Sequence, residues 1–226
     1  MIVTSVSIFD IIGPVMVGPS SSHTAGAAKI GSVARRVCKG KIVEVDFYLH
    51  GSFAQTYKGH GTAKALLGGI LGMSPCDERI RDSYKIAAEQ GIRFSFHQVD
   101  LGDVHPNTVK IVMRDDRGEK HELIGSSVGG GKILITNIDG MEMEFTAEYP
   151  TIINKHLDKP GTVAKVSSIL ARYDINIAFL KVFRQSRGSL ASMVIETDNK
   201  VTPEILEEIQ AIPTIKQIMF IDANGI

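Results

Sequence analysis

The stretch HLDKPGTVAKVSSILARYDINI, residues 156–177, decides how the second half of the chain folds. An apolar run with the character of a strand ends at its first residues, a Pro-Gly pair interrupts it, and a segment with helical spacing follows. The apolar residues of that segment are predicted to share one helical face: Val163, Val166, Ile169 and Leu170. The INI at its end begins another strand.

The flanking sequence supplies the other elements of this half. YPTIINKHLD before it is predicted to be a strand, and the strands INIAFLKVFR and SLASMVIETD lie on either side of the turn-forming QSRG. Thr202 can cap a second helix with Pro203 in its first position, and IKQIMFID closes the chain as a strand. The resulting order βαββαβ is the ferredoxin-like arrangement.

These residues resemble the opening of an ACT domain, a small module that binds amino acids and regulates metabolic enzymes. DKPG stands before the helix and INI after it, as in that family. The resemblance implies that Asp158, Gly161 and Asn176 lie at a ligand site or at an interface with a neighbouring ACT domain, which a glycine can approach closely. Two alternatives stay open: Gly161 serves only a tight turn, or the domain is a structural dimerisation element.

The first part of the chain is predicted to be a separate α/β domain. We place the division at 146/147, giving domains 1–146 and 147–226. Helices are expected at 25–37, whose small inner residues suit close packing, and in HGTAKALLGGILG and DERIRDSYKIAAEQG. The expected strands are KIVEVDFYLH, IRFSFHQV, NTVKIVMRD, KHELIGSSV and KILITNID.

Charge and composition exclude several classes of partner. The 226 residues contain 25 basic and 25 acidic side chains, so the chain has no electrostatic footprint for nucleic acid or an anionic membrane. The first basic residue is Lys29, which gives no signal-peptide leader, and no apolar run reaches the ~20 residues of a membrane span. We therefore expect a cytoplasmic protein with Cys38 and Cys76 reduced.

A cluster of hydroxyls precedes the first helix. Within GPSSSHTAGAAKI, residues 18–30, three serines, a histidine and a threonine stand together: Ser20, Ser21, Ser22, His23 and Thr24. Unpaired amides at a helix start, with these hydroxyls, would form an anion site suited to a carboxylate. The alternative is that one serine caps the helix and the others are solvated.

Three further histidines lie beside glycine or proline at element ends, namely His50, His60 and His105. With His23 they could converge where open α/β sheets place their ligand crevices, although a lone histidine of this kind is commonly structural. Their spacing does not suit a metal site, no G-x-S-x-G elbow is present, and SSVGGGK departs from the phosphate-loop pattern.

Four motifs together carry a resemblance over essentially the whole chain: FDIIGPVMVGPSSSHTAGA, YLHGSFAQTYKGHGTAKALLGG, DVHPNTVKI and GSSVGGGKI. Followed by an ACT domain, they resemble the β chains of two-chain, iron-sulfur-dependent L-serine dehydratases. The resemblance implies a first domain similar to the allosteric substrate-binding domain of some phosphoglycerate dehydrogenases, with a mixed sheet and helices.

The family resemblance also implies a reaction and partners. L-serine would be deaminated to pyruvate and ammonia at a [4Fe-4S] cluster held by cysteines of an α chain. The two cysteines here cannot hold such a cluster, which takes three or four, so no metal ligand is expected in this chain. Self-association through ACT domains and activation by a monovalent cation such as potassium are further implications.

Site roles follow from the positions of the motifs. His60 is the leading candidate for the base that removes the Cα proton, with His23 and Lys58 beside it. The residues expected to bind or line the substrate are Ser20, Ser21, Ser22, Thr24, Thr62, His105 and Asn107. A stand-alone amino-acid-binding module is the alternative function, whereas a dehydrogenase fragment lacks the G-x-G-x-x-G it would require.

Overall fold

The structure, a computed structural model, describes residues 15–184, 186–223 and 226. The beginning of the first motif, FDIIGP, and Gln185 of the QSRG turn lie outside the described residues. The chain divides into two compact units, of which the first extends to Leu134 and the second begins at Ile135. None of the helices in the described ranges is long and apolar enough to cross a membrane.

A mixed sheet forms the centre of the first unit. Four of its strands are β1 (Ile42–Leu49), β2 (Arg93–Gln98), β3 (Thr108–Asp115) and β4 (Lys120–Gly129). They lie in the order β2-β1-β3-β4. β1 pairs with β2 in parallel and with β3 antiparallel, and β4 is antiparallel to β3. These strands confirm the predicted ones, and the mixed sheet with helices confirms the predicted fold class.

The helices of this unit differ from expectation at their ends. One turn of π-helix, Ser21–Gly26, leads into α1 (Ala27–Val37), so helical structure begins earlier than residue 25. Next come α2 (Gly51–Thr56), which was not predicted, and α3 (Thr62–Ile70). The helix expected in 77–91 is a 3-10 helix, Glu78–Asp82, followed by α4 (Ser83–Glu89).

Helices α1 and α3 cross in direct backbone contact. A Cβ added at Gly31 would overlap the carbonyl oxygen of Leu66, and one at Gly69 would overlap the carbonyl oxygen of Ala28. Only glycine permits this approach, because any side chain would push the two backbones apart. The small residues predicted on the inner face of α1 are therefore used for close helix packing.

The second unit has the predicted βαββαβ order. Its elements are β7 (Thr151–Leu157), α5 (Thr162–Arg172), β8 (Ile177–Arg184), β9 (Leu190–Thr197), α6 (Pro203–Gln210) and β10 (Ile215–Ile221). The strands form an antiparallel sheet in the order β10-β7-β9-β8, which confirms the ferredoxin-like fold. A hairpin of β5 (Lys132–Ile138) and β6 (Met141–Phe145) precedes it, and β6 was not predicted.

Apolar side chains of both helices cover this sheet. Val166, Ile169 and Leu170 of α5 are buried with Ile205 and Ile209 of α6. The predicted inner face was wrong at one position, since Val163 is 38% exposed. Val163 lies in the first turn, where Thr162 instead turns inward and bonds its hydroxyl to that of Thr214 at 3.1 Å.

Candidate active site

The serine cluster forms the π-helical turn before α1. Ser20 is its N-cap: its Oγ accepts a hydrogen bond from His23 N at 3.4 Å, and its carbonyl accepts one from Thr24 N at 2.8 Å. Ser21 and Ser22 are half-buried in the first turn. Ser20 therefore caps this turn, as the alternative interpretation expected of one serine. Thr24 is buried against Gly18, and its Oγ1 has no hydrogen-bond partner among the described residues.

His23 is buried between two hydroxyls. Only 9% of the residue is exposed. Its Nδ1 lies 3.3 Å from Ser20 Oγ, and its Nε2 lies 3.2 Å from Ser52 Oγ. Because a neutral imidazole has one donor and one acceptor nitrogen, one hydroxyl donates to the ring and the other accepts from it. Ser52 was not among the predicted site residues. It lies in α2, two residues after His50, where the first strand was predicted to end.

His60 lies against His23. The two ring centroids are 5.1 Å apart with the planes at 74°, and Phe53 makes a similar edge contact with His23 at 5.3 Å. His60 itself is exposed, held by a hydrogen bond from its backbone N–H to Thr56 O at 3.0 Å. Gly61 follows with a φ of 76° and starts α3. An accessible imidazole therefore covers a buried one.

Burial lowers the pKa of His23 below its usual value, and the charge of a protonated His60 beside it lowers the pKa further. The hydrogen bond with Ser52 acts in the opposite direction without reversing the shift. The lowered pKa favours the neutral form of the His23 imidazole near neutral pH.

A cleft of about 320 Å³ opens beside His60. Three cationic side chains line it, Lys58, Lys64 and Arg81, and its lining includes no acidic residue. Within the described part of the chain none of the three takes part in an ion pair. Like charges without counter-charges favour an anionic ligand. Lys58 was predicted; Lys64 and Arg81 were not, since their approach to His60 depends on how α3 packs against the 3-10 helix.

The other predicted residues lie in different surroundings. Thr62 is fully buried, and its hydroxyl has no partner among the described residues. Asn107 Nδ2 lies 3.5 Å from Ser127 O. His105 Nδ1 accepts from Asn107 N at 3.1 Å, and His50 Nδ1 accepts from Leu101 N at 3.1 Å. His50 and His105 thus fasten their own loops, while a ring contact joins His23 to His60.

The predicted residues of the second unit hold turns. Asp158 Oδ2 accepts hydrogen bonds from Gly188 N at 3.2 Å and Arg184 Nη1 at 3.0 Å, and these contacts lower the pKa of Asp158. Asn176 Nδ2 donates to Asp198 Oδ2. Gly161 precedes α5 with a φ of 85°, which a turn requires, and a Cβ there would meet open space. The turn therefore favours glycine at this position, and the space in front of Gly161 is open.

A second cluster of polar groups lies away from these histidines. Ligand-type atoms of Cys38, Asp115 and His121 lie within 4.8 Å of one another. Burial raises the pKa of the Cys38 thiol. Both oxygens of Asp115 are engaged, by the backbone N–H groups of Arg117 and Glu119 and by the Arg117 guanidinium. These hydrogen bonds hold the turn between β3 and β4, so Asp115 serves to stabilise that turn.

Comparison with known proteins gives the same two-part division. Residues 7–137 match the family model "Serine dehydratase beta chain", and residues 151–214 match the ACT domain. The "Probable L-serine dehydratase, beta chain" of Bacillus subtilis is 48% identical over 212 residues, covering 94% of this chain and 96% of the relative. The "L-serine dehydratase, beta chain" of Peptoniphilus asaccharolyticus is 41% identical over 220 residues, covering 97% and 99%.

A more distant relative matches over most of this chain. The D-3-phosphoglycerate dehydrogenase of Methanocaldococcus jannaschii is 29% identical over 199 residues, which cover 87% of this chain and 37% of that protein. Fold and site define an α/β chain with a cationic cleft at His60, a buried His23 packed against that residue, and a C-terminal ACT domain. The chain belongs to the serine dehydratase beta chain family.

Proposed function

We propose that this chain is the β chain of a two-chain L-serine dehydratase and that, with an α chain, it deaminates L-serine to pyruvate and ammonia. The observation that carries the proposal is the exposed His60, packed on the buried His23 in a cleft with three unpaired cations. The two relatives named as L-serine dehydratase β chains support it, since they cover nearly the whole chain.

The cleft suits the substrate carboxylate. Arg81, which lines the cleft, would supply positive charge to the carboxylate, and the half-buried Ser21 and Ser22 lie in the turn that precedes α1. A cation beside an anionic group stabilises that group by electrostatic attraction. Such a carboxylate contact would place the Cα–H bond of L-serine toward His60.

Proton removal is assigned to His60. Its imidazole is exposed, and histidine accepts a proton efficiently near neutral pH. His23 stays neutral beneath it, because its pKa is lowered, and adds no positive charge that would oppose proton uptake. Loss of the Cα proton and the β-hydroxyl leaves 2-aminoacrylate, which tautomerises and hydrolyses to pyruvate and ammonia.

The [4Fe-4S] cluster of this proposal does not fit the cysteines of this chain. The sequence has two, Cys38 and Cys76, of which Cys38 is buried with its thiol 3.6 Å from Gly40 O. A cluster takes three or four thiolates, so its ligands would come from the α chain. When bound, the cluster would supply a Lewis acid for the departing hydroxyl.

The test is anaerobic co-expression of this tagged chain with the α chain of its own host. Co-purified α chain, brown iron-sulfur absorbance and serine-dependent pyruvate release are the expected results. A His60→Ala chain should retain the partner and the colour but lose activity by about 100-fold or more. His97→Ala, an exposed histidine elsewhere in this unit, is the matched control. A colourless, partnerless chain that binds serine would instead favour the amino-acid-binding module.

A further inference from the structure

A groove lined by aromatic rings lies next to the cleft of His60. Four rings form it, from Tyr57, Tyr84, Phe94 and Phe96, with centroid separations between 5.2 and 6.1 Å. The space they enclose with the neighbouring lysines is about 480 Å³. We call this surface the aromatic groove.

Its side chains are unusually accessible for their type. Tyr84 is 37% exposed, and Phe94 and Phe96 are half-buried although both lie on the face of β2 that faces the helices. β2 is the edge strand of the first unit's sheet. Clustered apolar surface of this kind marks interaction sites, and aromatic residues are enriched at the centres of protein interfaces.

The aromatic groove and the His60 cleft share one wall. Lys58, Gly61 and Lys64 line both. Neither lysine takes part in an ion pair among the described residues, although Lys58 Nζ lies 5.7 Å from the Tyr57 ring centroid. A protein bound in the aromatic groove would therefore lie next to the cleft of His60, in contact with two unpaired cations and four rings.

We propose that the aromatic groove is the docking surface for the α chain. An apolar side chain of the partner would fill the space between the rings, and carboxylates beside it would pair with Lys58 and Lys64. This inference rests on the proposed function, which requires an α chain to bring its group to His60. Aromatic anchors supply affinity in such an interface, while complementary charges set its orientation and association rate.

The experiment measures anaerobic binding of purified α chain to the immobilised full-length chain. Tyr84→Ala should weaken binding by about tenfold or more, as expected for an aromatic anchor. Lys64→Glu should weaken it as well and should reduce the salt dependence of the association rate. The matched control is Tyr173→Ala: Tyr173 is a tyrosine of the second unit that is 45% exposed and does not line the aromatic groove.

Binding of the α chain to the unmodified chain tells failure of the docking surface apart from failure of the proposed function. If the α chain binds it, and binds Tyr84→Ala and Lys64→Glu equally well, the docking surface is wrong while the proposed function stands. If the α chain does not bind the unmodified chain, the proposed function fails and the inference fails with it. If Tyr84→Ala changes only the self-association of this chain, the groove is a contact between two copies, which also overturns the inference.

Discussion

The ring of His60 packs edge to face on the ring of His23. Of these two rings, the buried one, His23, has hydrogen-bond partners at both nitrogens. Ser20 and Ser52 hold the two nitrogens of His23, whereas the ring of His60 faces the cleft. The accessible ring therefore has a neighbour of set orientation. Under the proposed function, His60 would contact the substrate and His23 would position His60.

Ser52→Ala should show this division of tasks. The change removes the partner of His23 Nε2 at 3.2 Å, so the ring beneath His60 gains rotational freedom. We expect kcat to fall by about tenfold, in line with the loss of one hydrogen bond, while KM changes little. Steady-state kinetics of the two-chain enzyme measure this effect. Ser52→Thr, which keeps a hydroxyl, should restore part of the loss; equal losses in both variants would contradict a positioning role.

Arg81→Ala tests the cationic cleft. Arg81 lines the cleft of His60 and makes no ion pair among the described residues, so its charge is available to a substrate carboxylate. KM for L-serine should rise by about tenfold or more, as for a lost hydrogen bond to a charged group. Arg93→Ala, which removes an exposed ion pair with Glu44, is the control. An unchanged KM for Arg81→Ala would remove this residue from substrate binding.

Gly31→Ala and Gly69→Ala should destabilise the first unit. Each added Cβ would meet the backbone of the facing helix, which cannot move aside as a side-chain end can. The expected loss is about 1 to 3 kcal/mol of the free energy of unfolding, the usual range for overpacking. Urea unfolding followed by circular dichroism measures it. At Gly59 a Cβ would have room, with Thr56 O at 3.9 Å, so Gly59→Ala should leave stability nearly unchanged.

His156 should make the stability depend on pH. Burial lowers its pKa below the usual 6.5, with Asp158 opposing the shift. The unfolded chain then binds the proton more readily than the folded chain, so the free energy of unfolding falls as pH drops below about 6.5. His156→Gln should lessen the fall between pH 7.5 and 5.5, measured by urea midpoints. His97→Gln is the exposed control; if it lessens the fall equally, burial is not the cause.

The second unit was predictable from sequence because its elements follow local rules. Gly161 sits where the backbone needs a positive φ, and the apolar spacing of α5 identifies the buried residues except Val163. The strand β6 was missed although MEMEF alternates apolar and charged residues, because the predicted boundary between the two domains falls next to this segment. In the structure, Glu144 forms an ion pair with Lys181, a partner that is distant in sequence.

Most of the site was less predictable, for a physical reason. The motifs identified His23 and His60, yet their contact depends on how α1, α2 and α3 pack. Ser52 lies in a helix of six residues, too short for a periodic signal. Lys64 and Arg81 resemble ordinary surface cations until α3 and the 3-10 helix bring them to one cleft. The roles assigned to these residues stay predictions.

The glycine contact between α1 and α3 has a consequence for the histidines themselves. His23 lies in the turn that leads into α1, and His60 lies two residues before α3. The backbones of α1 and α3 touch at Gly31 and Gly69. The crossing of these two helices therefore sets the distance between the two imidazoles. A substitution at this crossing, remote from any substrate, would therefore alter the register between the two rings.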